Sequence, residues 1–185
     1  ISATKDIPAV VWGDINVTLD GTKFDITYDT TTDPETDNEG KIVEDEGGNT
    51  VYVKVVKTGR VFGCNNLLGS PQGNVTVTVE RTVQGNTPRT TGTVEEEVDG
   101  VVQTIDEKNS VNPANHSYEL AAVYGGGNLA PYTATGKKAH VIINGCDNTS
   151  ILTVYGGGNA APVPETDVDI NGTYEIGSLD RKSVV

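Results

Sequence analysis

The chain has no methionine, one tryptophan and two phenylalanines, so aromatic bulk cannot fill a wide globular core. Its two cysteines, Cys64 and Cys146, are too few for a disulfide framework or a thiolate metal site. They fall at different places in the sequence pattern, which argues against a bond between them and leaves both as small buried residues. Positive charge is scarce: 13 Lys and Arg stand against 26 Asp and Glu, for a formal net charge of −13. Nucleic-acid binding draws its affinity from Lys and Arg, so it is excluded as an expectation, as is attraction to anionic lipid surfaces. No stretch reads as a secretory leader or as an apolar run long enough to enter a membrane. No long segment carries helical periodicity. G-x-S-x-G is missing, which removes support for a serine hydrolase. His116 and His140 have no Cys or His at ligand spacing, so the expectation is no metal site and no cofactor.

What the chain does have is one phrase written three times. It reads Val61-Phe62-Gly63-Cys64-Asn65-Asn66, then Val123-Tyr124-Gly125-Gly126-Gly127-Asn128, then Val154-Tyr155-Gly156-Gly157-Gly158-Asn159. The step from Val123 to Val154 is 31 residues, and the step from Val61 to Val123 is 62, twice as long. A phrase at a fixed step signals a repeat architecture. After each phrase come small or apolar residues, a Gly or Pro turn, and a second β segment at Val75–Val77, Val141–Ile143 or Val168–Ile170. Period-two alternation puts Gly59/Val61, Ala121/Val123 and Leu152/Val154 on one side, and the second segments in another apolar column. Phe62, Tyr124 and Tyr155 are expected to stack as a ladder on the opposite face. The glycines suit a corner with positive φ or a close approach of backbones. Asn65, standing where the other copies have glycine, suits the left-handed region. A phosphate-cradling loop would need a helix after the glycines, and β residues follow instead.

The alternation of V-(F/Y)-G-G-G-N phrases with V-x-I-N-G strands resembles the repeats of large adhesin-like surface proteins of gut Bacteroidetes. The resemblance covers residues 58–79 and 118–185. It implies an all-β fold, a short right-handed parallel β-helix with an N-terminal β cap and an inserted β-hairpin; an antiparallel β-sandwich is the alternative. It also implies a non-enzymatic segment at the bacterial cell surface or outside the cell, binding a glycan or a host or neighbour-cell surface protein. The chain reads as a piece of a longer repeat protein, since one more step from Val154 falls on Val185.

Residues 1–57 form the expected cap or degenerate repeat, and 58–185 the repeats, interrupted at about 80–117. Trp12 is expected in the core or capping it. Asp20-Gly21 and Asp99-Gly100 are hairpin signals. Residues 29–46 read as a mobile acidic loop. Within it, residues 35–46 space their oxygens like a calcium loop but lack its leading Asp and flanking helices, which favours a solvated loop. Tyr124, Tyr155 and Tyr132 are the candidate ligand-binding residues, offering rings for sugar stacking. The competing reading is a polysaccharide-active enzyme in which Asp167 and Asp169, on one face of a strand, supply paired carboxylates.

Overall fold

The computed structural model describes residues 8–22, 24–83, 89 and 91–180. The fold is all-β. In chain order the strands are β1 (Ile15–Asp20), β2 (Tyr28–Pro34), β3 (Tyr52–Val56), β4 (Arg60–Phe62), β5 (Val75–Arg81) and β6 (Thr93–Val98). They continue with β7 (Val101–Asp106), β8 (Leu120–Tyr124), β9 (Ala139–Ile143), β10 (Ser150–Tyr155), β11 (Thr166–Ile170) and β12 (Glu175–Asp180). Three 3-10 turns are the only helical structure among the described residues.

Two four-stranded sheets form the body, one in the order β1-β5-β9-β11 and the other β12-β10-β8-β4. Every neighbouring pair in both is parallel, so the antiparallel sandwich does not describe them. From β4 onward the chain alternates between the sheets, apart from the β6–β7 excursion, and each pass lies beside an earlier one. Valine alternation explains the core: Val75, Val77 and Val79 of β5 are fully buried, while Thr76 and Thr78 between them face outward. They pack with Val141 and Ile143 of β9 and with Val61, Val123 and Val154 of the second sheet in one apolar cluster. Burying each such side chain contributes about 1.5–3 kcal/mol. The column tapers at the edge strand β11, where Ile170 is exposed. Strict alternation fails in β10: Ile151, not Leu152, joins Val154 in the core.

The two antiparallel hairpins, β2–β3 and β6–β7, both leave the body where the chain passes from the first sheet to the second. This placement explains the doubled step. Val61 pairs directly with Val123, and Val123 with Val154, so 62 residues make one layer enlarged by the β6–β7 excursion. The Asp99-Gly100 turn behaves as its sequence predicts, with φ of 54° and 79°. Asp20-Gly21 does not. β1 runs parallel to β5 instead of folding back on residues 22–26, because Ile15, Val17 and Leu19 find their apolar partners in the core. Trp12 is exposed and lies outside the core. The stretch expected to be a mobile loop contains β2 and two tight turns. Leu179 already stands opposite Val154, a shorter step than 31 residues, while Val185 lies outside the described residues.

Close packing of layers, and not positive φ, is what the phrase glycines serve. None of Gly63, Gly125 or Gly156 has positive φ. A Cβ on Gly63 would collide with Gly125 O, and one on Gly125 with Gly156 O. Asn65 is likewise outside the left-handed region; its Nδ2 donates to Ala9 O at 2.8 Å and Leu68 O at 2.9 Å. Gly125→Ala is therefore expected to lower unfolding free energy by about 2–3 kcal/mol, as overpacking does. Gly13→Ala, where a Cβ meets nothing within 4 Å, should change it by less than about 1 kcal/mol. Urea unfolding of both variants measures the contrast.

Candidate functional site

Three surfaces carry side chains capable of recognition, and the first is the aromatic ladder. Parallel strands about 4.8 Å apart bring identical register positions into stacking distance. The Phe62 and Tyr124 rings lie 4.7 Å apart and the Tyr124 and Tyr155 rings 4.6 Å, stacked nearly parallel with interplanar angles of 7° and 4°. Arg60 sits 5.6 Å above Phe62. The phrase asparagines repeat the pattern: Asn128 Nδ2 donates to Asn66 Oδ1, and Asn159 Nδ2 to Asn128 Oδ1, each at 2.8 Å. Tyr124 is buried, both ring faces are covered, and burial pushes its hydroxyl up to about 12. Tyr124 and Tyr155 line a groove of about 410 Å³ with Arg60, Thr153 and Asn159. Tyr132 is not with them. It belongs to the apolar core, and its hydroxyl donates to Gly73 O at 2.6 Å. Of the three expected ligand residues, two are brought together, and stacking leaves the middle ring no free face.

The second surface is a cleft of about 720 Å³ where three parts of the chain meet. Tyr28 comes from the first hairpin, Lys108, His116 and Tyr118 from the segment after β7, and Leu152 and Glu175 from the second sheet. Below it lies an ionic network. Arg89 is 3.0 Å from Glu107, 3.8 Å from Glu119 and 3.9 Å from Glu175, with its guanidinium 4.9 Å over the Tyr174 ring. His116 Nδ1 lies 2.8 Å from Glu175 Oε2, and its Nε2 lies 3.1 Å from Ser110 O. A carboxylate and a carbonyl both accept, so the imidazolium form, with both ring nitrogens donating, satisfies both contacts. The hydrogen bond to Glu175 raises the His116 pKa above its ordinary 6.5, against the opposing effect of burial. Ser150 Oγ holds the other Glu175 oxygen at 2.8 Å. His116 also stacks on Tyr118, with centroids 5.6 Å apart.

Comparison with protein-family models, curated proteins and solved structures finds no match to this chain. The site's chemistry therefore has to speak through its own geometry. His116, Glu175 and Arg89 escape sequence reasoning because the network draws on separate segments, with no spacing rule linking them.

The third surface is the outer face of the first sheet at its β9–β11 edge. Lys138 Nζ donates to Asp167 Oδ2 at 2.8 Å, and His140 Nε2 lies 2.8 Å from Asp169 Oδ2. The bond to Lys138 holds Asp167 below the usual carboxylate range. In the acidic stretch resembling a calcium loop, Asp37 Oδ1 instead accepts the Glu39 and Lys41 amides, both at 2.9 Å. Asp45 Oδ1 does the same for Gly47 and Asn49 in the next turn. Cys64 is a half-buried free thiol that burial pushes up to about 12, whereas Cys146 is exposed rather than buried.

His116 gives stability a definite pH dependence. Its folded pKa is raised, so its contribution is complete below the unfolded value of 6.5 and is lost as pH rises through the folded pKa. Unfolding free energy should fall as pH rises above the unfolded value of 6.5, with a slope of at most about 1.4 kcal/mol per pH unit. Denaturant titrations of wild type and His116→Gln across that range are expected to show the slope only in wild type.

Proposed function

We propose that this chain is a β-solenoid display segment of an adhesin-like surface protein, right-handed as its resemblance implies, with a recognition cleft on its insertions. The observation that carries the reading is register. The same residue types, Phe/Tyr, Gly and Asn, stand opposite one another in successive parallel strands. Such an array grows by adding passes, and each pass needs only a neighbour above and below. Residues 15–20 join it as a first pass, so the part of the N-terminal region that stands apart is the β2–β3 hairpin.

Insertions at one corner of a repeat array are where recognition residues accumulate. The cleft fits a glycan unit: Tyr28 and Tyr118 supply aromatic surface, and Lys108 and Ser178 supply polar contacts. An acidic surface keeps an extracellular segment solvated without attracting nucleic acid. No described helix is long and apolar enough to cross a membrane.

The enzymatic alternative is weakened at Asp167 as its general acid. A glycosidic general acid needs a raised pKa, and Lys138 lowers that of Asp167. A glycan array read for binding, with hydrolysis products followed in the same wells, tests the proposal. The expected result is binding without turnover, weakened by about tenfold or more in Tyr28→Ala and Tyr118→Ala, as for recognition hot spots. Tyr155→Ala should leave binding nearly unchanged. Turnover, or binding indifferent to both cleft tyrosines, would overturn it.

A further inference from the structure

The β9–β11 edge brings together an imidazole and two carboxylates that lie far apart in the chain. His140 stands directly opposite Asp167 in the parallel register, and Asp169 follows two residues later on the same outward face. One ligand atom from each of the three lies within 4.8 Å of the others, the only such group of His, Cys, Asp or Glu among the described residues. A shallow depression of about 260 Å³ runs along the β11 edge, lined by Thr166, Asp167, Val168 and Asp169 and not by His140. Zinc bonds of about 2.0–2.2 Å at tetrahedral angles put ligand atoms on one ion about 3.3–3.6 Å apart. Side-chain rotation of Asp167 and Asp169 has to close about 1.2–1.5 Å, within the reach of rotamer changes at a sheet surface.

The donor set selects the ion. Calcium takes six to eight oxygens, and magnesium an octahedron of oxygen and water. One imidazole with two carboxylates instead suits borderline divalent ions of the zinc, cobalt and nickel type. The charges also favour entry: two carboxylates oppose the single Lys138 ammonium, which already occupies Asp167 as a cation.

We propose that His140, Asp167 and Asp169 form a binding site for a borderline divalent metal ion such as Zn²⁺, with Lys138 as its built-in competitor. Three protein ligands leave a position open to water or to a donor from a partner. The site spans adjacent strands, so an ion there ties β11 to β9 through side chains as well as backbone. It does not depend on the glycan reading, since it occupies the outer face of the other sheet.

Zn²⁺ titration of the full chain, followed by calorimetry and by NMR of the two imidazoles, tests it. The expected result is one tight equivalent that shifts the His140 ring signals and leaves those of His116 unmoved. His140→Ala and Asp169→Asn should weaken that binding by about tenfold to a hundredfold, the scale on which metal-site residues act. Lys138→Ala should tighten it. All three positions are on the surface, so the variants keep the fold. Unmoved His140 signals, binding equally strong in His140→Ala, or weak uptake spread over many acidic groups would each overturn the proposal.

Discussion

Everything in this fold depends on how closely one pass of backbone can lie against the next at the glycine corner. Gly63 and Gly125 present no side chain where the carbonyl of the following layer, from Gly125 and Gly156 in turn, must sit. That contact fixes the register of the flanking strands. Register in turn sets Phe62, Tyr124 and Tyr155 into one stack, the asparagines into another, and the valines into a continuous core. A core built this way is narrow, and a chain poor in bulky side chains can fill it. The same geometry exposes both outer faces of the sheets, so the places available for recognition are faces and insertions.

The insertions are not scattered. Both hairpins leave from the same turn between sheets in successive passes, and that coincidence lets Tyr28 of one approach Tyr118 beside the other. Holding the second excursion against the body costs desolvation of several charged groups. The imidazolium of His116 and the guanidinium of Arg89 offset it by engaging Glu175, Glu107 and Glu119 together. The network and the cleft thus share residues: Glu175 belongs to both. On the opposite sheet no insertion intervenes, and side chains on neighbouring strands meet one another directly.

Much of the fold could be read from the sequence because its strongest signal is repetition. The aromatic ladder, the second apolar column and the Asp99-Gly100 hairpin all follow from local pattern. Long-range effects were harder to see. Asp20-Gly21 carries a good hairpin turn, but three apolar residues in β1 gain more from the core than a local hairpin would return. The spacing of 62 residues looks like two steps, and the pairing of Val61 with Val123 makes it one step enlarged by the inserted hairpin. Tyr132 reads as a loop aromatic and turns inward because Gly73 O accepts its hydroxyl. The candidate sites were the least legible part. His140 has no ligand partner nearby in the chain, and acquires two only when β11 is laid beside β9.

The central claim is that the three copies of the phrase occupy consecutive layers although the first step is twice the second. Ring-to-ring nuclear Overhauser contacts of Tyr124 test this most directly. The account predicts contacts from the Tyr124 ring to both Phe62 and Tyr155, with ring-current shifts from two neighbours. Contact with Tyr155 alone would mean that a further layer separates the first copy from the second. It would contradict the β4–β8 register that makes the first two copies neighbours.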